Sequence, residues 1–292
     1  MAGHVSWRAG GLAARAYTPT DVDDLAAFLA KIRHDEPLLV VGLGSNLLVR
    51  DGGFVGTALF LHGALRELRQ ESDGVFYAEA GVASPKLARF VANAGYSGAE
   101  FLAGIPGTVG GALAMNAGCH GGETWRYVER VLMLDRQGKR IERTAEDFVI
   151  GYRHCGLKEA LNEIFVGVWF RFPRAADGDT TIARTQIREL LEKRIATQPL
   201  DLPNAGSVFR NPPGDHAARL IEAAGLKGAR QGGAQVSEKH ANFIVNPEGE
   251  ATASAIEMLI GQVQRQVKEK FGVELVREVR IVGVQTQHGS GF

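Results

Sequence analysis

Two glycine-rich segments of the sequence have a composition that suits binding of a phosphate-bearing ligand. The first, Gly42-Leu-Gly-Ser-Asn46, directly follows the apolar run 38–41. Glycines at the end of a strand allow successive backbone N–H groups to surround an anion. The pattern G-x-G-x-x-G is not met, because Leu47 occupies its third glycine position and the next residues favour a strand. A phosphate site and a simple tight turn are both compatible with this segment.

The second segment, residues 104–118, has glycines at 104, 107, 110, 111 and 118 and no charged side chain. These spacings fit neither the face of a helix nor the face of a strand, so they predict an irregular loop. A long uncharged loop of small residues suits backbone packed against a flat, bulky ligand. An irregular buried connection is the alternative.

Charged side chains near the C-terminus have a spacing that could serve catalysis. A strand predicted from Val273 to Val284 places Glu278 and Arg280 on one face with Val276 and Val282. Such a pair indicates either an edge facing solvent or, if the face is inward, a site where the charges need a polar partner. The spacing alone does not decide between them.

Ser207 and Arg153 carry less information by themselves. Ser207 lies in a short segment bounded by Pro203 and Pro212, which predicts a rigid, exposed turn. The G-x-S-x-G motif is missing, so a serine hydrolase is not supported. An isolated arginine such as Arg153 is most often a surface residue.

Helices and strands in alternation must position these residues. A helix opening at Ser84 has a proline in its first turn and ends at Gly95, and the last helix has a capping box at 254–257 and ends at Gly272. The predicted helices begin after Thr20, at Ser84, near residue 183, before Gly225 and near Thr252; the predicted strands cover 38–41, 47–49, 128–134, 163–172 and 273–284. The polar, turn-rich segment 173–179 predicts a linker.

Composition limits the class of protein. The 292 residues carry 33 Lys and Arg against 33 Asp and Glu, a balance that argues against a nucleic-acid or membrane-surface protein. No apolar run approaches the roughly 20 residues of a membrane span, and the N-terminal residues lack the pattern of a signal peptide. Two cysteines, Cys119 and Cys155, can form neither a disulfide framework nor a four-ligand zinc site. We expect a reduced, cytoplasmic protein without a metal site.

The two glycine-rich segments resemble the FAD-binding fold shared by vanillyl-alcohol oxidase and the flavin domains of xanthine dehydrogenase. More narrowly, the chain resembles the MurB family of UDP-N-acetylenolpyruvoylglucosamine reductases almost from end to end. The motifs that carry this resemblance are Trp7-Arg-Ala-Gly-Gly11, Val41–Leu48, Gly104–Gly111, Gly151-Tyr-Arg153, Gly206–Pro212, Gly232–Phe243 and Arg277-Glu-Val-Arg280. Several independent motifs in the same order make the resemblance specific.

The resemblance implies an α+β fold. A PCMH-type FAD-binding domain of two α/β subdomains would span residues 1–173, and a smaller α/β substrate-binding domain would span 174–292. The short spacing between Arg153 and Ser207 favours the compact branch of the family, which lacks an extra substrate-covering insertion. A monomer is expected.

The resemblance also implies cofactors, a reaction and site residues. NADPH would reduce non-covalently bound FAD and leave, and UDP-N-acetylglucosamine enolpyruvate would then enter the same cleft. Hydride would pass from flavin N5 to C3 of the substrate, giving UDP-N-acetylmuramate for peptidoglycan synthesis. The implied FAD contacts are Gly42, Gly44, Ser45, Asn46, Leu47, Pro106, Gly107, Thr108, Gly110, Gly111, Arg194 and Arg280.

Three residues have catalytic roles implied by the family. Ser207 would donate the proton at C2, Arg153 would meet the enolpyruvyl carboxylate, and Glu278 would help to stabilise the enolic intermediate. Implied substrate contacts are Tyr152, Asn211 and His240. The family usually has serine where this chain has Cys155, which changes the polarity beside Arg153, and neither Cys155 nor Cys119 is assigned a catalytic role.

Two alternatives from other classes remain at this point. A different flavin oxidase on the same fold would not need the C-terminal motifs at Ser207 and Glu278. A non-catalytic nucleotide-binding module would need none of Arg153, Ser207 and Glu278. An absorbance spectrum of the purified protein would test both flavin hypotheses.

Overall fold

The structure, a computed structural model, describes residues 1–159, 161–178 and 180–286. It has an α+β fold. The helices are α1 (Val22–Lys31), α2 (Ser84–Asn93), α3 (Val109–Met115), α4 (Thr180–Thr197), α5 (Ala217–Ala223) and α6 (Ala253–Phe271). Among the described helices, none combines the length and apolar character that a membrane span requires.

The strands are short and mostly antiparallel. They are β1 (Ala13–Tyr17), β2 (Leu38–Val41), β3 (Leu47–Val49), β4 (Phe54–Phe60), β5 (Leu68–Ser72), β6 (Val75–Glu79), β7 (Gly118–Cys119), β8 (Gly122–Glu123), β9 (Val128–Leu134), β10 (Arg140–Arg143), β11 (Phe148–Gly151), β12 (His154–Leu157), β13 (Ile164–Arg171), β14 (Arg230–Gln231), β15 (Ala234–Val236), β16 (Ile244–Val245) and β17 (Arg280–Val282). Five 3-10 turns complete the described elements.

The chain forms two compact units. The terminal unit contains residues 1–15, 44–57 and the chain from Ile195 on, and the central unit contains residues 16–43 and 58–194. The units are therefore interleaved along the sequence, whereas the predicted boundary after residue 173 is linear. The assignment of cofactor and substrate roles to 1–173 and 174–292 stays a prediction.

The central unit is built on a five-stranded antiparallel sheet with the strand order β10-β9-β13-β6-β5. Helix α2 contributes Leu87, Ala88 and Val91 to a core that also contains Phe76 and Phe170 from the sheet. The facing surfaces of α2 and the sheet are both apolar, so their burial against each other stabilises the unit. Two hairpins, β7-β8 and β11-β12, also belong to this unit.

The terminal unit packs around α6. Its buried residues recur at Ile256, Leu259, Ile260, Val263 and Val267, the spacing of one helical face. Around this face lie the three-stranded sheet β14-β15-β16 and the parallel pair β17-β3. Trp7 is completely buried in the same core, and its indole N–H donates to the carbonyl oxygen of Ile244 at 2.7 Å.

A turn after β3 holds the N-terminus of α6. Both carboxylate oxygens of Asp51 accept backbone N–H groups of its first turn, from Ala253 at 2.9 Å and from Ser254 at 2.8 Å. Beside it, the guanidinium of Arg50 forms a two-pronged ion pair with Glu257, at 2.9 and 2.8 Å. Negative charge at a helix N-terminus is favourable, so these contacts stabilise α6 where it begins.

The structure corrects several predicted helix boundaries. The helix predicted to begin after Thr20 has Asp21 as its N-cap, and the N-cap of α2 is Ala83, which leaves Ser84 inside the first turn. The predicted capping box of α6 is wrong, because Thr252 is the N-cap and accepts the N–H of Ala255 at 3.0 Å. The glycine stops are confirmed: Gly95 and Gly272 have positive φ. The predicted linker 173–179 includes Asp179, which lies outside the described residues.

Two further predictions are wrong because contacts with distant residues determine the local structure. Residues 104–118 are not all loop, since they contain α3, which Thr108 caps and which ends at Asn116 with a φ of +41°. The C-terminal strand covers only 280–282, because the pairing with β3 is only three residues long. Glu278 therefore lies just before the strand. Val276 and Glu278, which precede the strand, form backbone hydrogen bonds with Arg210 and Val208, in the segment that follows Ser207.

Candidate active site

The first glycine loop needs its glycines for contacts within the protein. A Cβ at Gly42 would lie 2.4 Å from Oγ1 of Thr108, inside the central unit. Gly44 has a φ of +61°, and a Cβ there would lie 2.1 Å from the carbonyl oxygen of His4, inside the terminal unit. A side chain at either position would clash, so this backbone path requires glycine at both. Ser45 is half-buried beside it.

Asn46 and Leu47 continue this loop into β3. Leu47 is buried in the core, so a cofactor could meet only its backbone. The carbonyl oxygen of Asn46 accepts the N–H of Arg280 at 3.1 Å, and its amide donates to the carbonyl oxygen of Glu278 at 3.2 Å. Arg280 is exposed and pairs in register with Leu47. The structure thus brings four predicted site residues from two distant motifs together.

The second glycine segment opens α3. Backbone bonds anchor its start, from Val109 N–H to the carbonyl of Val82 at 2.8 Å and from Gly110 N–H to that of Ala80 at 2.9 Å. A Cβ at Gly110 would lie 2.8 Å from Cβ of Ala80. Gly110 is therefore a packing glycine. Gly107 also anchors the start of this segment, since its carbonyl oxygen accepts the N–H of Ser84 at 2.9 Å.

Gly111 differs from the other glycines of this segment. It is exposed, and a Cβ there would meet only Oγ1 of Thr108, at an ordinary 3.7 Å. Ala114, one turn further along α3, is also exposed, and Pro106 is exposed before the helix. This face of α3 is therefore made of small residues and backbone, a surface on which a flat ring could lie.

Arg153 is held in an unusual backbone conformation. Its φ is +52°, which is rare for a residue other than glycine. Its Nη2 donates to the carbonyl oxygen of Gly118 at 2.5 Å, and its guanidinium lies 5.1 Å from the ring centre of half-exposed Tyr152. Buried Asn116 supports this turn, because its amide donates to the carbonyl oxygen of Gly151 at 3.1 Å. Strain of this kind is typical of functional sites.

Arg153 and Arg194 act on one thiol in the central unit. Burial raises the pKa of Cys119, and the positive charges of Arg153 and Arg194 oppose that rise. Burial also lowers the pKa of Arg194. Two predicted site arginines from separate motifs thus influence the pKa of the same side chain. Burial raises the pKa of Cys155 to about 12, so this thiol stays protonated and inert.

Ser207 and Glu278 lie on hydrogen-bonded neighbouring segments. The N–H of Glu278 donates to the carbonyl oxygen of Val208 at 2.8 Å, and Phe209 forms an antiparallel bridge with Arg277. Ser207 precedes Val208 directly, so the hydroxyl and the carboxylate are carried by paired backbones. Both residues are half-buried, which gives them access to a ligand.

Asn211 and His240 also have structural partners. The side-chain oxygen of Asn211 accepts the N–H of Ala217 at 3.1 Å, at the first residue of α5. Nδ1 of His240 accepts the N–H of Asn242 at 3.2 Å, and its ring packs edge-on against Phe243 at 4.8 Å. Burial lowers the pKa of His240, which favours the neutral ring with its proton on Nε2.

Sequence reasoning missed two buried asparagines that hold site segments, Asn116 and Asn242. The only local signal for Asn116 is its place in Asn-Ala-Gly after an apolar run, since asparagine tolerates the left-handed conformation. Asn242 has no local signal, because its partners are 33 residues away along the chain. The influence of Arg153 and Arg194 on the pKa of Cys119 has no local signal either, because these arginines belong to other motifs.

The chain is similar to known proteins over nearly its whole length. Residues 13–144 match the family model "FAD binding domain", and residues 198–282 match "UDP-N-acetylenolpyruvoylglucosamine reductase, C-terminal domain". A protein of the same reductase name from Thiobacillus denitrificans is 58% identical over 97% of this chain and 90% of its own length. One from Nitrosomonas eutropha is 54% identical over 97% and 87%.

A solved structure shows the same fold. The UDP-N-acetylenolpyruvylglucosamine reductase (MurB) from Thermus caldophilus superposes with a TM-score of 0.80 at 32% identity, covering 96% of each chain. Near-complete coverage excludes a match confined to the flavin domain. The chain therefore belongs to the family of UDP-N-acetylenolpyruvoylglucosamine reductases, flavin-dependent oxidoreductases with the MurB fold.

Proposed function

We propose that the chain reduces UDP-N-acetylglucosamine enolpyruvate to UDP-N-acetylmuramate for peptidoglycan synthesis, with FAD as bound cofactor and NADPH as hydride donor. Family membership supports the substrate, since the relatives are named for it. The match to the FAD-binding model supports the cofactor. Because UDP-linked sugars and NADPH are cytoplasmic metabolites, we place the reaction in the cytoplasm.

The described residues fit FAD. The exposed face of α3 at Gly111 and Ala114 offers a small-residue surface, and a side chain at Gly111 would fill the space above it. The half-buried Arg194 adds a positive charge to the central unit. When bound, FAD supplies a carrier that accepts two electrons from NADPH and returns them as hydride. In the central unit, α3 and Arg194 would hold it.

One observation carries the proposed chemistry: Ser207 and Glu278 lie on paired segments, joined by the bond from Glu278 to Val208. Hydride addition at C3 of the enolpyruvyl group moves negative charge toward its carboxylate. A guanidinium binds a carboxylate in a planar, two-pronged way, so Arg153 would hold that group as charge develops. Glu278 would help to stabilise the enolic form of the substrate.

Ser207 would then complete the reaction by giving its hydroxyl proton to C2. A hydroxyl is a weak acid, so its position relative to C2 decides how well it performs. Its place beside the Glu278 segment is the structural support for this role. His240, with its proton on Nε2, would donate to the substrate, and Asn211 and Tyr152 would make further contacts.

The experiment separates the two half-reactions of the FAD-loaded enzyme. In Ser207→Ala, reduction by NADPH should stay within about 2-fold of wild type, and reoxidation by the enolpyruvyl substrate should slow by about 100- to 10,000-fold, the usual contribution of a proton donor. Ser254→Ala, an exposed position on α6, is the control. Equal slowing of both half-reactions would show that Ser207 is not the proton donor.

Two simpler measurements test the wider proposal. Protein that stays colourless after incubation with FAD would exclude a flavoenzyme. Yellow protein should consume NADPH only when the enolpyruvyl substrate is added. NADPH consumption without that substrate would indicate an oxidase on the same fold.

A further inference from the structure

Asn242 is a buried residue whose side-chain amide both accepts a hydrogen bond from and donates one to the backbone of a single residue. Only 4% of Asn242 is exposed. Its Oδ1 accepts the N–H of Phe209 at 3.0 Å, and its Nδ2 donates to the carbonyl oxygen of Phe209 at 2.8 Å. Its own backbone carbonyl accepts the N–H of Val208 at 2.9 Å. Three hydrogen bonds thus fix the two residues immediately after Ser207.

The chain around Glu278 also bonds to this segment, at Val208 and Arg210. The carbonyl oxygen of Val208 accepts the N–H of Glu278 at 2.8 Å, and the N–H of Arg210 donates to the carbonyl of Val276 at 2.9 Å. Val208 and Phe209 are both fully buried. The segment therefore cannot slide along the Glu278 segment without breaking its bonds to Asn242, and it cannot leave Asn242 without exposing buried polar groups.

On the N-terminal side, Ser207 has less restraint. Gly206 has a φ of +73° and no atom within 4 Å of a Cβ built on it, so packing does not fix this residue. Its N–H bonds to the side-chain oxygen of Asn204 at 2.9 Å. The orientation of Ser207 consequently depends mostly on the restraints at Val208 and Phe209.

We propose that Asn242 is a positioning residue for Ser207: by clamping Phe209 it sets the place of the Ser207 hydroxyl relative to Glu278. This inference rests on the proposed role of Ser207 as proton donor. Displacement of a catalytic group by about 1 Å can cost about 100-fold in rate. The loss of Asn242 should therefore act on proton delivery, which is the step that uses Ser207, and should leave flavin reduction by NADPH intact.

Asn246 is a matched control in the same unit. It is completely buried, its Oδ1 accepts the N–H of Ala251 at 2.9 Å, and its Nδ2 donates to the carbonyl oxygen of Trp7 at 3.0 Å. It therefore resembles Asn242 in burial and in bonding, with partners outside the Ser207 segment. A general loss of stability should be similar in the two alanine variants.

The test compares Asn242→Ala with Asn246→Ala in the FAD-loaded enzyme. Asn242→Ala should slow reoxidation by the enolpyruvyl substrate at least 10-fold, with flavin reduction by NADPH within 2-fold and KM for the substrate within 3-fold. Asn246→Ala should leave both half-reactions within 2-fold of wild type. The double variant Ser207→Ala/Asn242→Ala should be no slower than Ser207→Ala alone, because both changes act through one hydroxyl.

A measurement without flavin or substrate completes the test. In the apo protein, Asn242→Ala should increase amide hydrogen exchange of residues 208–210 at least 10-fold, and Asn246→Ala should not. If Asn242→Ala does not fold, Asn242→Asp takes its place, since it keeps the shape and the acceptor for Phe209 and loses the donor. The same split between half-reactions is expected from it.

The possible failures are distinguishable. If Ser207→Ala leaves reoxidation unchanged, the proposed function of Ser207 is wrong whatever Asn242 does. If Ser207→Ala slows reoxidation and the Asn242 variants slow both half-reactions equally, or no more than Asn246→Ala, the positioning role is wrong. Additive effects in the double variant would also overturn it.

Discussion

The side-chain amide of Asn46 donates a hydrogen bond to the backbone carbonyl of Glu278 at 3.2 Å. The backbone carbonyl of Asn46 accepts the N–H of Arg280, where β17 begins its pairing with β3. One residue therefore joins the first glycine loop to the segment that carries the carboxylate. Movement of Glu278 away from Asn46 would break these bonds.

Replacement of Asn46 tests this connection. Asn46→Ala should lower the free energy of unfolding of the apo protein by about 1 kcal/mol, the usual value of one hydrogen bond. It should also slow substrate reduction at saturating FAD, because Glu278 loses a restraint. Urea titration and single-turnover kinetics measure the two effects. Weaker FAD binding with an unchanged rate at saturation would show that the bond does not position Glu278.

The two adjacent glycines of α3 should respond oppositely. Gly111→Leu should weaken FAD binding at least 10-fold while the apo protein keeps its stability or gains up to about 1 kcal/mol, since glycine is a poor helix former. Gly110→Ala should destabilise the apo protein by about 1 to 3 kcal/mol, because its Cβ would lie 2.8 Å from that of Ala80. Flavin fluorescence and urea titration measure these effects.

A graded series at Gly111 provides the control. Gly111→Ala should bind FAD more tightly than Gly111→Leu, because the smaller group fills less of the space above α3. Equal FAD affinity for wild type and Gly111→Leu would mean that this face does not contact the cofactor.

His240 should make stability depend on pH. Burial lowers the pKa of His240 from its usual value near 6.5, so the unfolded chain binds this proton at a higher pH than the folded chain. The free energy of unfolding should therefore fall as pH drops through about 6.5, by at most about 1.4 kcal/mol per pH unit, and level off below the pKa of the folded state. Protonation on Nδ1 would also remove the acceptor for Asn242.

The difference in pH-dependent stability between wild type and His240→Gln gives the contribution of His240. Urea titrations of the apo protein between pH 7.5 and 5 should show a smaller pH dependence in His240→Gln. His34→Gln, at an exposed position, is the control for replacement of a histidine by glutamine. An NMR titration that gives His240 a pKa at or above 6.5 would contradict the prediction.

Asp51 should stabilise the terminal unit through α6. Asp51→Ala removes two charge-assisted bonds to the first turn, at 2.9 and 2.8 Å, and should cost about 1 to 2 kcal/mol. Asp51→Asn, which keeps one acceptor, should lose less. Asp201→Ala, at an exposed position, serves as the control for loss of one charge. A loss below about 0.3 kcal/mol for Asp51→Ala would show that Thr252 alone caps the helix.

Local patterns predicted the elements that depend on nearby residues. Helix α6 and its stop at Gly272 are accounted for by helical periodicity and by a glycine with positive φ. The strands at 38–41 and 47–49 are also as predicted. The α+β fold and the flavin domain came from the resemblance between motifs.

Contacts between distant residues could not be predicted in this way. Helix α3 forms because Val82 and Ala80 anchor its start, although its glycines disfavour a helix. The segment at Glu278 is not a long strand, because its N–H groups find Val208 rather than a strand partner. Similarly, Asn242 is recognisable as a clamp only once Phe209 is seen beside it.

The burial of Trp7 has a consequence for synthesis of the chain. Its indole N–H bonds to Ile244, and its carbonyl accepts the amide of Asn246, residues that come 237 and 239 positions later. At about 5 to 20 residues per second, a ribosome makes these partners roughly 10 to 50 s after Trp7. The terminal unit thus cannot finish folding until late in translation. Until then Trp7 lacks its native partners, and a chaperone would find it accessible.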